Sequence, residues 1–389
     1  ASPFASTINE LQHHLLHPRV AISLFFSRLR SSDILRGDPK MGFALLCNVL
    51  IIALVSISCR GDPIVPALMI FGDSVADVGN NNNLNTIIKA NFLPYGRDFV
   101  SHQPTGRFSN GKLATDFTAE LLGFSGYQPA YLSGEANGTK LITGANFASA
   151  ASGLYDGTAA LYNTISLTQQ LNFYQEYQRK LVNLVGQQKA NSIFARGIHL
   201  LSAGSSDFIQ NYYVSPLLNG AYTVDQFSDI LVKSFSNFVQ DLYGTGARRI
   251  GVTTLPPLGC LPASITIFGQ GSNQCVDRLN QDAATFNSKL KSTSQSLAKS
   301  LAGLKLVVLD IYNPLMNIIR KPGENGFFET RRACCGTGTL ETSVLCNERS
   351  PGTCSNATEY AFWDGFHPSE AANQALANEL LGQGFDLIS

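Results

Sequence analysis

Short apolar runs alternate with longer amphipathic stretches along most of the chain from residue 65 onward. The apolar runs predict buried strands at 65–71, 199–203, 249–254 and 305–310. The amphipathic stretches carry apolar residues at helical spacing and predict helices at 112–122, 167–185, 224–243 and 275–301. Strands separated by helices of this length favour an α/β fold, in which a parallel sheet has helices on both faces.

The first forty residues fit neither pattern. Residues 1–40 show no clear helical or strand period, and we interpret them as an extraneous or disordered segment upstream of Met41. A transit peptide is the alternative because the segment holds several Arg and Ser, but its three acidic residues, Glu10, Asp33 and Asp38, disfavour that interpretation.

An apolar run followed by small residues occupies 41–59, and this outline is typical of a secretory signal peptide. A membrane anchor is the alternative, but the run is shorter than the ~20 residues that span a bilayer, and Asn48 interrupts it. We therefore predict that residues 60–389 form a single domain, with no membrane span once the signal is cleaved.

The overall charge limits the partners of this domain. The 389 residues have a formal net charge of zero, and only 14% of them are charged, so no field attracts the chain to nucleic acid. Since 44% of the residues are hydrophobic, the chain can bury a large core.

The cysteines point to an oxidising compartment. Two of the eight, Cys47 and Cys59, lie in or beside the predicted signal. The other six are Cys260, Cys275, Cys334, Cys335, Cys346 and Cys354. An even number in a secreted chain favours three disulfides, although 15 connectivities are possible. A zinc site is the alternative, disfavoured because these cysteines form no C-x-x-C motif and have no histidine at ligand spacing.

Two sequons support the same compartment. Asn137 and Asn356 each begin an Asn-x-Ser/Thr triplet, which is the acceptor motif for N-glycosylation. We therefore predict a secreted, glycosylated protein of the extracellular space or cell wall.

Three polar groups suited to nucleophilic catalysis follow the predicted strands. Ser74 comes directly after the first strand, and Asp364 precedes His367 by three residues near the C-terminus. At that spacing the carboxylate can orient the imidazole, whose other nitrogen can take the proton of Ser74. Taken singly, Ser74 is also a plausible helix cap and His367 a structural residue before a proline.

An attacking serine needs hydrogen-bond donors for the oxyanion that forms. We expect the backbone N–H of Ser74 and that of Gly153, at the end of the small-residue loop 144–153, to be two of them. The loop 204–207, which follows the second strand, offers a side-chain donor from Ser206.

These blocks, in this order, resemble those of the GDSL esterase/lipases, the SGNH hydrolases. They are Gly72-Asp73-Ser74, the loop ending at Gly153, Gly204-x-x-Asp207 and Asp364-x-x-His367, while 105–111 and 256–260 look like the plant branch. The resemblance implies a three-layer α/β/α, flavodoxin-like fold with a mainly parallel sheet. It also implies secretion and the hydrolysis of acyl esters without a cofactor or metal.

The resemblance also implies a role for each residue. Ser74 is the nucleophile, His367 the general base, Asp364 its orienting carboxylate and Gly153 an oxyanion donor. Ser206 stands where the family has Asn, so its shorter hydroxyl is expected to be a weaker third donor. We hypothesise that Ser206 limits turnover.

Other functions fit the same residues. An acyltransferase uses the same triad with a sugar or lipid hydroxyl in place of water, and a weakly active wall-associated binding protein keeps the fold alone. The substrates that the resemblance implies are small acyl esters, lipids and polymeric esters.

Overall fold

The computed structural model describes residues 62–389, so the predicted upstream segment and signal peptide lie outside the described residues. A four-stranded parallel sheet forms the centre, in the order β1-β2-β3-β4. Its strands are β1 (Leu68–Gly72), β2 (Ile198–Ser202), β3 (Arg249–Thr253) and β4 (Lys305–Leu309). All four predicted strands are therefore present, each shifted by at most a few residues.

Helices connect and cover these strands. They are α1 (Ala114–Leu121), α2 (Asp156–Leu161), α3 (Leu167–Val185), α4 (Gln187–Arg196), α5 (Pro216–Ala221), α6 (Val224–Gly244), α7 (Pro262–Phe268), α8 (Asp277–Ser300), α9 (Tyr312–Arg320), α10 (Glu370–Gln383) and α11 (Phe385–Ile388). The four predicted helices correspond to α1, α3, α6 and α8. Within residues 62–389, no helix is both long and apolar enough to cross a membrane.

The sheet is covered on both faces, as predicted. Along β1, Met69 and Phe71 join the large core that α3, α6 and α8 complete. Leu68 and Ile70 point the other way, because side chains alternate along a strand, and they pack with α1 and α11. The result is the three-layer α/β/α arrangement.

The small-residue loop begins as an extra strand-like segment on the free edge of β1. Phe147 N–H donates to the carbonyl of Ile70 at 2.7 Å, and Ser149 N–H donates to that of Gly72 at 3.0 Å. A Cβ at Gly144 would lie 2.0 Å from the carbonyl oxygen of Leu68, so the segment needs glycine to approach this closely. The loop thereby reaches the end of β1, where Ser74 lies.

A second, two-stranded parallel sheet of β5 (Glu329–Ala333) and β6 (Tyr360–Phe362) supports the C-terminal motif. The three predicted disulfides are present, and the structure decides their connectivity as Cys260–Cys275, Cys334–Cys354 and Cys335–Cys346. Two of them start directly after β5, where Cys335 N–H donates to the carbonyl of Trp363 at 2.8 Å. The disulfide-closed segment thus lies against the residue before Asp364.

Removing Cys335–Cys346 by the paired change Cys335→Ser and Cys346→Ser is expected to destabilise the protein by about 2–4 kcal/mol, because the bond restricts the unfolded chain. Urea unfolding followed by circular dichroism measures the loss. An unfolding midpoint equal to that of the wild type would contradict a stabilising role for this bond.

Candidate active site

A sharp turn at the end of β1 presents Ser74. Gly72 has a φ of 140°, and a Cβ there would lie 2.0 Å from the carbonyl oxygen of Ser202. The next residue, Asp73, donates its N–H to the same carbonyl at 3.0 Å, which ties the turn to β2. Only glycine fits this conformation and this close approach, so Gly72 fixes where Ser74 leaves the strand.

A second turn, directly after β6, presents His367. The Asp364 carboxylate accepts the backbone N–H groups of Phe366 and His367, both at 2.9 Å. Trp363 N–H closes the turn by donating to the carbonyl of His367 at 2.8 Å. Asp364 therefore organises the backbone that carries the imidazole as well as contacting the ring.

The two turns meet, although Ser74 and His367 are 293 positions apart. The Ser74 Oγ lies 2.7 Å from His367 Nε2, and His367 Nδ1 lies 2.7 and 2.8 Å from the two oxygens of Asp364. A carboxylate only accepts, so Nδ1 carries the proton and Nε2 is left to accept from the serine hydroxyl. The structure brings all three predicted residues into one hydrogen-bonded chain.

Two residues that the sequence analysis did not identify hold Asp364. Its Oδ2 accepts hydrogen bonds from the Tyr95 hydroxyl at 2.6 Å and from Thr342 Oγ1 at 3.2 Å. Burial and the adjacent carboxylate raise the pKa of Tyr95 well above its usual value, so the phenol keeps the proton that it donates. No local motif marks these residues, because both meet Asp364 only through the tertiary fold.

Residues 105–111 pack against the ring of His367. The ring of Phe108 lies 5.0 Å from that of His367, centroid to centroid. Asn110 Oδ1 accepts the N–H of Glu370 at 2.8 Å, which joins the block to the first turn of α10. The block therefore positions the imidazole.

The predicted oxyanion donors occupy different surroundings. Ser74 and Ser206 line the same cavity, whereas Gly153 packs against Asp207, whose Oδ1 would lie 2.1 Å from a Cβ added to the glycine. No residue within 62–389 accepts a hydrogen bond from the backbone N–H of Ser74 or Gly153. Neither N–H is therefore occupied within this range, and the role of both as oxyanion donors stays a prediction.

Buried carboxylates hold the small-residue loop in place. Asp77 accepts the N–H of Ala150 at 3.0 Å, and Asp207 accepts that of Leu154 at 2.7 Å. Between these two anchors, Ala151 has a left-handed φ of 60°, which is uncommon for a residue with a Cβ. Its N–H also has no acceptor within 62–389.

The side chain of Asp73, next to Ser74, is buried and accepts few hydrogen bonds. Within residues 62–389, its carboxylate accepts a hydrogen bond from one other residue, the N–H of Val75 at 3.2 Å. Burial raises the pKa of this carboxyl from 3.8 to about 7. Burial also raises the pKa of Asp207 to about 7, with a smaller contribution from the charge of Asp73. These two carboxyls therefore bind more protons in the folded than in the unfolded chain between about pH 4 and pH 7, and their contribution to the free energy of unfolding falls as the pH rises through that range.

Asp73→Asn keeps the acceptor for Val75 and removes the buried charge. We expect this variant to have a free energy of unfolding higher than wild type by about 1–3 kcal/mol at pH 8, with a smaller difference at pH 4.5. Denaturant unfolding of both proteins at the two pH values measures this. A variant that is less stable than wild type at pH 8 would contradict the assignment of a raised pKa.

Comparison with known proteins decides the family. A model of the family described as GDSL-like Lipase/Acylhydrolase matches residues 68–380. The chain belongs to this family. An Arabidopsis thaliana protein named GDSL esterase/lipase At5g03820 is 68% identical over 331 residues, 85% of this chain and 94% of its own. Another, named GDSL esterase/lipase APG, is 56% identical over 347 residues, 89% of this chain and 98% of its own.

The predicted membership of the GDSL esterase/lipase family is therefore confirmed. The predicted enzyme class, a carboxylic-ester hydrolase, is confirmed with it. The match includes both turns of the hydrogen-bonded chain, Ser74 near its start and His367 near its end. The α/β fold inferred from the strand and helix pattern agrees with this family.

Proposed function

We propose that this GDSL esterase/lipase cleaves acyl esters through an acyl-serine intermediate on Ser74. The observation that carries the proposal is the unbroken hydrogen-bonded chain from Ser74 through His367 to Asp364. His367 Nε2 takes the hydroxyl proton as Ser74 attacks the ester carbonyl, and the buried Asp364 stabilises the imidazolium that forms. The imidazolium then protonates the leaving alcohol.

Deacylation reverses the roles of the groups. Water enters in place of the alcohol, His367 removes its proton, and the acid leaves as Ser74 recovers its hydrogen. In both half-reactions the negative oxygen accepts hydrogen bonds from the N–H groups of Ser74 and Gly153 and from the Ser206 hydroxyl. No step in this sequence requires a cofactor or a metal.

The experiment that tests the proposal is rapid mixing of the protein with p-nitrophenyl acetate. We expect a burst of one p-nitrophenol per protein followed by slower turnover, because the acyl-serine accumulates. Added methanol should divert part of the product to methyl acetate if acyl transfer competes with hydrolysis. The complete absence of p-nitrophenyl acetate cleavage would overturn the proposal.

Ser206 offers a direct test of the third oxyanion donor. Ser206→Asn places a longer amide donor at the position, and we expect it to raise kcat on p-nitrophenyl acetate, while Ser206→Ala should lower kcat by about 10-fold or more. Ser206 lines the same cavity as Ser74, which supports a role at the reacting carbonyl. Unchanged rates in both variants would show that Ser206 does not contact the oxyanion.

We further propose that the protein is secreted and glycosylated. Three disulfides support this, since such bonds persist in oxidising compartments. The side chains of Asn137 and Asn356 are exposed, so both sequons are accessible to modification. Expression in a eukaryotic secretory system, followed by N-terminal sequencing and a glycosidase mobility shift, tests this. Retention of the apolar 41–59 segment in the mature protein would contradict it.

A further inference from the structure

A cavity extends from Ser74 into the interior, along the face of the sheet opposite the main core. One wall consists of sheet side chains that include Ile70 and Leu200, and the other wall is formed by α1, α10 and α11. Leu200 lies on an interior strand and is nevertheless only half-buried, whereas its neighbour Leu201, on the opposite face, is 1% exposed. The helical layer on this side therefore leaves a gap along the sheet.

The residues that line the cavity extend along the whole length of strand β2. Ile198, at the inner end, is in register with Leu68, while the mouth lies beyond Gly72, where Ser74 projects. Four residues of strand at about 3.3 Å each give about 13 Å, roughly the length of an extended acyl chain of ten carbons. Leu387 and Ile388 of α11 also line the cavity.

Most residues that line the cavity away from the mouth are aliphatic, although Thr115 and Thr118 of α1 also belong to the lining. The aliphatic residues include Leu122, Ile198, Leu309, Leu376, Leu380 and Leu387. Among the described residues that line the cavity, the titratable ones are Asp73 and His367, and both flank Ser74. A polar acyl group, such as a sugar acid, would leave most of its hydroxyls without partners along these mainly aliphatic walls. A flexible hydrocarbon chain needs no hydrogen-bond partner and matches the polarity of this lining.

We infer that this cavity binds the acyl chain of the substrate, so that the preferred esters carry unbranched fatty acyl groups of roughly eight to twelve carbons, the length set by the strand spacing. The inference rests on the proposed function, since it assumes that the acyl carbonyl reaches Ser74. The alcohol part of the ester remains at the mouth, near Phe366 and Leu315. Short acyl groups react without filling the cavity.

The test fills the cavity from two sides. Thr118→Phe on α1 and Leu200→Phe on β2 each place an aromatic ring in the cavity. Leu121→Phe is the matched control, because Leu121 lies on the same helix as Thr118 but is 37% exposed and does not line the cavity. The readout is kcat/KM for p-nitrophenyl decanoate divided by that for the acetate, with thermal unfolding as a check on folding.

For the wild type, we expect kcat/KM to be higher for the decanoate than for the acetate, which gives a ratio above one. In a folded Thr118→Phe or Leu200→Phe protein, this ratio should be at least 10-fold lower. Leu121→Phe should keep the wild-type ratio. A folded Thr118→Phe or Leu200→Phe protein that keeps the wild-type ratio would overturn the inference. So would a wild-type protein that prefers acetate.

A binding measurement separates this inference from the proposed function. A fluorescent fatty acid of about ten carbons should bind the Ser74→Ala protein, and Leu200→Phe added to that background should weaken binding at least 10-fold. If wild type cleaves no ester but this pattern of binding holds, the proposed function is wrong and the acyl-binding cavity stands. If esters are cleaved and the fatty acid does not bind, the cavity assignment is wrong.

Discussion

Ser74→Ala is expected to lower kcat on p-nitrophenyl acetate by about 10³-fold or more, because it removes the atom that forms the acyl-enzyme. Ser74 Oγ is the group that His367 Nε2 contacts at 2.7 Å, and no other hydroxyl lies within hydrogen-bonding distance of that nitrogen in the described residues. The measurement is steady-state hydrolysis over a range of enzyme concentrations, which separates residual catalysis from spontaneous hydrolysis.

Ser296→Ala is the control for this change. Ser296 is exposed on α8 and does not line the cavity, and within the described residues its hydroxyl bonds only to the carbonyl of Ser292. It should retain the wild-type rate. A Ser74→Ala protein that keeps more than a tenth of wild-type kcat would show that another group makes the attack, and the assigned mechanism would be wrong.

Asp364→Asn should cost about 10³- to 10⁴-fold in kcat, because the amide can donate to His367 Nδ1 and stabilise the wrong tautomer. In the wild type, Asp364 is fully buried and accepts from two backbone N–H groups and two hydroxyls besides the ring. The variant keeps a side chain of the same shape, so its fold should survive while the imidazolium loses its counter-charge. The pH dependence of kcat/KM reports that loss.

Tyr95→Phe separates the effect of the Asp364 charge from the effect of the hydrogen bonds that hold the carboxylate in place. It leaves the carboxylate in place and removes a single donor to Oδ2. We expect a loss of no more than about 10-fold, since a hydrogen bond to a charged group contributes about 1.5–3 kcal/mol and part of this is compensated by Thr342. Equal losses in Asp364→Asn and Tyr95→Phe would contradict the orienting role assigned to Asp364.

The long elements were predictable because local chemistry marks their ends. Helix α3 starts after Ser166, whose side chain accepts the N–H of Gln169, and it stops at Gly186. Both are strong signals in the sequence, and the predicted bounds 167–185 are confirmed. By contrast, α10 was not predicted. Its sequence is rich in Ala and lacks a clear apolar stripe, although Ser369 caps its first turn.

The site was predictable only as far as its residues are close in sequence or belong to known blocks. Asp364 and His367 share a turn, and Ser74 follows a strand, so their chemistry could be inferred. Tyr95 lies 269 positions from Asp364, and its contact depends on the whole fold. The acyl cavity likewise arises from the spacing between a sheet face and three helices, which no local pattern encodes.

Covalent labelling shows directly whether Ser74 is the nucleophile. The protein is incubated with a fluorophosphonate, digested and mapped by mass spectrometry. We predict one phosphonate per molecule, carried on the peptide that contains Ser74, with labelling abolished in Ser74→Ala and strongly slowed in His367→Ala. Labelling of a different residue, or equal labelling in Ser74→Ala, would contradict the account.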